Sequence, residues 1–206
     1  MRVLGRVTSI NVRKVLWTAD VAGLEYTRED WGLPLRDPKV PEFLALNPNG
    51  QVPVIVDGQF TLWESHAIMQ YLAEKAGPGV VLPQDLQLRA RALQWLAWQA
   101  TELGAQSGYP VHMLLRKTPG YDDPKRLEDA VRFWTGKMEI LEGQLAKGDA
   151  YVAGEQFTLA DIAIGLTVHR WFSVPIERRA LPFVGDYYQR LLETPFGAKW
   201  MAAETP

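Results

Sequence analysis

The proline at position 53 constrains the fold of this chain more than any other single residue. It stands in the run Gln51-Val52-Pro53-Val54-Ile55-Val56-Asp57-Gly58. Because proline has no backbone N–H, a strand can begin at Pro53 but cannot pass through it in the middle of a sheet. An X-Pro bond can be cis at small cost, and a cis bond here would turn the Val52 backbone outward. Asp57-Gly58 lies between two apolar runs and predicts a β-hairpin.

An acidic residue and a serine follow the predicted hairpin, at Glu64-Ser65, where a helix is expected to start. The outward-facing N–H and C=O of Val52 can pair with an extended peptide as with another strand. The Ser65 hydroxyl and the free N–H groups of a helix start can hold a carboxylate, and Glu64 can bind an ammonium. A ligand that carries both charges at one end, as an α-amino acid does, fits these positions.

Hydrophobic periodicity divides the chain into an α/β part and a helical part. A strand at Val3-Leu4, a helix with apolar residues at helical spacing and a strand over 25–29 predict a βαβ unit with a parallel strand pair. With the hairpin and the helix after it, the order becomes βαβ-ββα, which is the thioredoxin-like arrangement. We predict this α/β domain over residues 1–76, a linker over 77–84 and an all-α helical bundle over 85–206.

Three local patterns predict elements inside the helical part. Pro110 is expected to kink or end the first long helix, because it lacks the N–H of a helical hydrogen bond. Thr158-Leu159-Ala160-Asp161 resembles a capping box with aspartate in place of glutamate. A second long helix is predicted by apolar residues that step by four and three, at Leu127, Val131, Trp134, Met138, Leu141 and Leu145.

Composition excludes several kinds of protein. None of the 206 residues is a cysteine, so a disulfide, a thiolate metal site and a cysteine nucleophile are impossible. The net charge of −2 offers no basic face for nucleic acid, and no apolar run approaches the roughly 20 residues that cross a bilayer. The three histidines lie far apart without ligand spacing, so no metal is expected. We therefore expect a cytoplasmic protein with neither nucleic-acid nor membrane partners.

The segment from Val52 to Ser65 resembles the glutathione-binding half of the glutathione S-transferase family, and the resemblance extends over nearly the whole chain. It is strongest to bacterial serine- or asparagine-type members, theta- or nu-like. In the family, a cis Val-Pro bond and a Glu-Ser pair hold glutathione, and Val52, Pro53, Glu64 and Ser65 match them. The resemblance implies a homodimer that acts in detoxification and uses glutathione as co-substrate. Such an enzyme conjugates the glutathione thiolate to small hydrophobic electrophiles.

The resemblance also implies residues for the glycine end and for the sulfur of glutathione. Gln51 and Lys39 are candidates for the glycine carboxylate, although a solvated loop lysine is the more common explanation of a residue such as Lys39. A free thiol has a pKa of about 8.5, so an enzyme must stabilise the thiolate with donors, best at a helix N-terminus. Ser9 matches the family's serine at the first strand–helix junction.

Alternatives to Ser9 remain open at this junction. Asn11 stands where many family members have proline, and its amide can share the role of thiolate donor or carry it alone. Thr8 is a weaker third candidate. Ser9 is also explained simply as the N-cap of the first helix.

The electrophile pocket is predicted where the helical part faces Ser9, with Tyr109, Met113, Leu114 and Trp171 as lining candidates. For an aromatic residue at helical spacing, the core is the more common place. Two other functions stay open: a non-catalytic module that binds ligands or acts in an assembly, and a glutathione-dependent peroxidase. The absence of cysteine disfavours the omega and beta classes, whose members use a cysteine of their own.

Overall fold

A computed structural model describes residues 1–201 of the chain. Its first part is a four-stranded sheet with the strand order β2-β1-β3-β4, in which β1 and β2 are parallel and the other neighbours are antiparallel. The elements of this part are β1 (Arg2–Leu4), α1 (Ile10–Val21), β2 (Thr27–Glu29), α2 (Pro41–Leu44), β3 (Val54–Asp57), β4 (Phe60–Trp63) and α3 (Ser65–Ala76). The predicted βαβ-ββα, thioredoxin-like order is confirmed.

The hairpin forms where the sequence places it. Asp57 pairs with Phe60, so the two-residue loop is Gly58-Gln59. Gly58 has a φ of 62°, in the left-handed region that glycine enters without steric cost. The peptide bond between Val52 and Pro53 is cis, and β3 begins at the next residue.

The second part is helical, as predicted. Its elements are α4 (Leu86–Trp98), a π-helical segment (Gln99–Leu103), α5 (Gly104–Pro110), a second π-helical segment (Val111–Leu115), α6 (Pro124–Leu145), α7 (Leu159–Ser173), α8 (Pro182–Glu193) and α9 (Gly197–Met201). The predicted domain limits, 1–76 and 85–206, stay predictions. Residues 202–206, which the second limit includes, lie outside the described residues.

Pro110 does not end its helix. The chain stays helical from Leu86 to Leu115 and passes through Pro110. Proline removes one α-helical hydrogen bond, and after it the run takes the wider π-helical register, in which the Arg116 N–H donates to the Val111 carbonyl across 3.0 Å. The π-helical register therefore allows the helix to continue beyond Pro110, which has no backbone N–H to donate.

The two parts share one hydrophobic core, in which α1 packs against α3 on one side and α7 on the other. The predicted capping box opens α7. Asp161 is fully buried there and accepts hydrogen bonds from the Thr158 N–H at 2.8 Å, the Val152 N–H at 3.0 Å and the Tyr187 hydroxyl at 2.9 Å. One carboxylate thus ties the start of α7 to the preceding loop and to α8.

Candidate active site

The loop between β1 and α1 lies against Val52. A Cβ atom at Gly5 would stand 2.3 Å from Val12 Cγ2 and 3.3 Å from Val52 Cβ, so glycine is the residue that permits this approach. The end of the loop is fixed by Arg116, whose Nη2 donates to the Thr8 carbonyl across 3.0 Å. The tertiary structure therefore brings the start of the loop that leads to Ser9 next to Val52.

Ser9 occupies the N-cap position of α1 in an extended conformation, but its side chain makes no capping hydrogen bond. The capping explanation of this serine therefore lacks the interaction on which it depends. Asn11, two residues after Ser9, is exposed and lines the cleft between the two parts. Both side chains are placed at the start of α1, where the helix dipole favours an anion.

Glu64 and Ser65 form the junction between β4 and α3. Glu64 has a φ of 71° and a ψ of 111°, a backbone conformation that non-glycine residues rarely adopt and that concentrates at functional sites. Ser65 begins α3 and is buried. The unusual Glu64 backbone places a carboxylate directly beside a helix N-terminus.

The candidates for the glycine end of glutathione lie at one turn. Gln51 is exposed, and its backbone carbonyl accepts a hydrogen bond from Asn47 Nδ2 at 2.8 Å. Gly50, just before it, has a φ of 61°, and a Cβ atom there would stand 3.6 Å from Lys39 Cγ. Lys39 therefore lies beside Gly50, the residue directly before Gln51.

A cleft of about 480 Å³ opens between the two parts. It brings together Asn11, Glu64 and Ser65 from the predicted set, and Ser9, Val52, Gln51 and Lys39 are not among its lining residues. The lining comes from α1, from α3 and the residue before it, from the helical run and from α7: Ile10, Asn11, Lys14, Glu64, Ser65, His66, Gln99, Ala100, Gly104, Ala105, Ser107 and Arg170.

The four residues predicted for the electrophile pocket are not among those that line the cleft. Trp171 is 1% exposed and packs edge-on against Trp134 with ring centroids 5.0 Å apart. The Tyr109 hydroxyl accepts from the Asp123 N–H at 3.0 Å. Met113 and Leu114 are half-buried in the second π-helical segment. A pocket role for these four residues stays a prediction.

Lys14 and His66 are site residues that sequence reasoning missed. Lys14 Nζ donates to Gln99 Oε1 at 2.7 Å and lies 3.1 Å from His66 Nε2. Burial, and then the charge of Arg170, lower the pKa of Lys14 to about 7, against a smaller raising effect of Glu64. Burial, and then the charge of Lys14, lower the pKa of His66 to about 3. The His66 imidazole is therefore neutral near pH 7.

The sequence carries no signal for a buried lysine at position 14. The helical pattern of α1 predicts one apolar face through Val12, Val15, Leu16 and Ala19, whereas every residue from Val12 to Ala19 is buried. The rest of the helix is covered by α7 and, at Lys14, by Gln99 of the first π-helical segment, which no local pattern in α1 reveals. Within residues 1–201, no cluster of three or more His, Cys, Asp or Glu side chains is placed to hold a metal.

Known proteins match both parts of this structure. The family model described as "Glutathione S-transferase, N-terminal domain" matches residues 1–74, and the one described as "Glutathione S-transferase, C-terminal domain" matches residues 134–190. "Glutathione S-transferase GstB" of Escherichia coli strain K12 is 31% identical over 193 residues, which are 93% of this chain and 92% of that protein. The chain belongs to the glutathione S-transferase family.

Two further relatives of this glutathione S-transferase family member bear on its chemistry. The crystal structure of the theta class glutathione S-transferase from Xanthomonas axonopodis pv. citri with glutathione bound superposes with a TM-score of 0.93 at 32% identity, over 100% of this chain and 98% of that one. "Disulfide-bond oxidoreductase YfcG" of Escherichia coli strain K12 is 32% identical over 165 residues, 75% of this chain and 73% of that protein.

Family membership confirms the predicted resemblance and assigns glutathione-dependent transferase chemistry in the broad sense, with glutathione as co-substrate. In the part of the chain that the structure describes, no helix is both long enough and apolar enough to cross a membrane.

Proposed function

We propose that this chain is a cytoplasmic, homodimeric transferase that conjugates glutathione to small hydrophobic electrophiles, with Ser9 and Asn11 as thiolate donors. The observation that carries the proposal is the Ser9 side chain. It stands at the start of α1, makes no capping hydrogen bond, and lies in the loop that Gly5 packs against Val52. A hydroxyl so placed is available to a sulfur atom held beside Val52.

Each part of glutathione is assigned to one group of the candidate residues. The Val52 backbone pairs with the cysteinyl residue, as in strand addition. Ser65 and the N-terminus of α3 bind the γ-glutamyl carboxylate, and Glu64 binds the γ-glutamyl ammonium. Gln51 binds the glycine carboxylate together with Lys39, which lies beside Gly50. Held in this way, the tripeptide directs its sulfur towards the loop that contains Ser9.

The reaction needs thiolate stabilisation and positioning. The thiol of glutathione loses its proton to solvent, and donors at the α1 N-terminus stabilise the resulting anion. The sulfur then attacks the electrophilic carbon, a C–S bond forms, and the leaving group departs with its electron pair. No covalent enzyme intermediate is required, because positioning supplies the remaining rate gain.

The proposed electrophile site consists of Tyr109, Met113, Leu114 and Trp171. Met113 and Leu114 support this assignment best, since they lie half-buried on the π-helical segment that directly precedes Arg116. Arg116 in turn bonds to Thr8 in the loop that contains Ser9. An apolar substrate body next to that segment would stand close to the thiolate.

A second candidate function follows from the oxidoreductase relative. In a glutathione-dependent peroxidase or disulfide reductase, the same thiolate attacks oxygen or sulfur in place of carbon. Since this chain has no cysteine, the sulfur of bound glutathione would be the attacking group in that reaction as well. Turnover of cumene hydroperoxide or bis(2-hydroxyethyl) disulfide, compared with 1-chloro-2,4-dinitrobenzene, separates these activities.

Titration of bound glutathione by the ultraviolet absorbance of its thiolate tests the proposal. We expect a thiol pKa at least one unit below that of free glutathione in the wild type, and loss of this depression in Ser9→Ala, in Asn11→Ala or in part in each. Thr135→Ala is the control, because that hydroxyl bonds within α6 to the Val131 carbonyl. An undepressed pKa in wild-type protein that binds glutathione would contradict a transferase and favour a binding module.

A further inference from the structure

We propose that the electrophile carries a carboxylate or similar anionic group on its apolar body, and that Arg170 binds this group. The inference rests on the proposed function, because it concerns the second substrate of that reaction. The residues proposed for the electrophile pocket select for an apolar substrate. The inference adds that the substrate also carries a negative charge.

Arg170 is a buried cation that faces the cleft. It lies in the last turn of α7, lines the cleft and is 8% exposed. Its Nε atom is buried without a hydrogen-bond partner. A guanidinium has five N–H donors in a planar fork, and burying it unpaired is costly. An arginine held in this way is suited to a planar anion that enters the cleft.

The charges of two more arginines, Arg13 and Arg116, act on Arg170. Arg13 is fully buried, with Nη1 donating to the Trp200 carbonyl at 3.2 Å and with Nε and Nη2 unpartnered. Arg116 is half-buried and bonds to the Thr8 carbonyl. Burial, then the charges of Arg116 and Arg13, lower the pKa of Arg170 to about 9. The three guanidiniums are therefore close enough to repel one another.

Nearby carboxylates do not neutralise this cluster of Arg13, Arg116 and Arg170. None of the ion pairs formed among residues 1–201 includes any of the three. Glu64 is the carboxylate that lines the cleft, and the proposed function pairs it with the ammonium of glutathione.

Glutathione itself does not supply the missing anion. Its two carboxylates are assigned to Ser65 with the α3 N-terminus and to Gln51 with Lys39, so the proposed pose assigns no group of glutathione to Arg170. The arginine cluster therefore keeps its positive charge in that pose. A negative group on the second substrate would balance that charge in the cleft that Arg170 lines.

A matched pair of substrates tests the inference. 4-Chloro-3,5-dinitrobenzoate and its amide have the same leaving group and differ in charge. Each kcat/KM is divided by the uncatalysed rate constant with glutathione. We expect the wild type to prefer the carboxylate by about tenfold or more, as for one charge-assisted hydrogen bond. Arg170→Gln should bring the ratio near one, Arg170→Lys should retain part of it, and Arg179→Gln, on the exposed surface, should leave it unchanged.

Binding of the two glutathione conjugates, measured by calorimetry, separates the inference from the function on which it rests. The transferase proposal fails if neither chlorodinitrobenzene compound is turned over. The assignment of Arg170 as the anion site stands in that case if the carboxylate conjugate binds more tightly than the amide conjugate and Arg170→Gln removes the difference. Equal kcat/KM and equal affinity for both members of the pair overturn the inference. An equal loss on both substrates in Arg170→Gln also overturns it, and assigns Arg170 to the thiolate.

Discussion

Lys14 and Gln99 connect the two parts of the protein through a hydrogen bond of 2.7 Å between the ammonium and the amide oxygen. The amide nitrogen of Gln99 continues the chain of contacts by donating to Thr167 Oγ1 at 2.9 Å. This polar chain runs from α1 through the first π-helical segment to α7. Both Lys14 and Gln99 line the cleft, so the shape of the cleft depends on their contact.

The free energy of unfolding should rise with pH above neutrality because of Lys14. Burial lowers the pKa of this lysine to about 7 in the folded protein, from 10.5. Between these values the unfolded chain binds one more proton than the folded one, so stability increases with pH, by at most about 1.4 kcal/mol per unit. Lys14→Met should remove this part of the slope in urea unfolding measured from pH 6.5 to pH 9.

Lys147→Met is the control for the lysine experiment. Lys147 is exposed and bonds only to Gln144, so its replacement should leave the pH slope of the wild type intact. A slope in Lys14→Met equal to that of the wild type would contradict a buried lysine with a lowered pKa.

Gly104→Ala should destabilise the protein by roughly 1–3 kcal/mol through overpacking. A Cβ atom at this position would stand 2.7 Å from the Gln99 carbonyl oxygen and 2.8 Å from Gln99 Nε2. Because the Gln99 side chain accepts the Lys14 hydrogen bond, its displacement would also disturb the cleft. Urea midpoints measure the first effect, and the affinity for glutathione measures the second.

Gly136→Ala is the matched control in α6. No atom lies within 4 Å of a Cβ atom at Gly136, so alanine should stabilise the helix by roughly 0.5–1 kcal/mol. If both alanine variants shifted the midpoint in the same direction and by the same amount, the close approach of Gly104 to Gln99 would be refuted.

Asp161→Ala should lower the free energy of unfolding by about 3 kcal/mol or more. The buried carboxylate accepts hydrogen bonds from Thr158, Val152 and Tyr187, and its removal leaves several buried donors unpaired. Asp122→Ala, an exposed aspartate in the loop before α6, should change stability by less than about 0.5 kcal/mol. Similar urea midpoints for these two variants would disprove the structural role of Asp161.

Ser65→Ala and Glu64→Gln should each weaken glutathione binding by about tenfold, as expected for the loss of one charge-assisted hydrogen bond. Neither change should restore the thiol pKa of bound glutathione to its free value, since the proposed function assigns both residues to the γ-glutamyl end. Calorimetry gives the affinity and thiolate absorbance gives the pKa. Glu128→Gln, exposed on α6, is the control. A large pKa change with unaltered affinity would assign Ser65 to the sulfur.

Local signals in the sequence determined most of the fold. The missing N–H of Pro53 fixed the start of a strand, Asp57-Gly58 fixed a turn, and the three-residue spacing from Thr158 to Asp161 fixed a helix start. These signals act over a few residues, so they do not depend on the rest of the chain. The Glu64-Ser65 junction was likewise visible, because a strand end and a helix start meet there.

Tertiary structure alone decided which charged groups reach the cleft. Lys14 and Arg13 stand on an α1 face that would be solvated in an isolated α/β unit, and α7 buries them. Gln99 lies 85 residues downstream of Lys14 in sequence, and Arg170 lies further still. Burial depends on which surfaces meet, and the energy of a cation depends on that burial. The sequence by itself therefore specified the elements and the glutathione motif, and only their packing specified the electrostatics of the cleft.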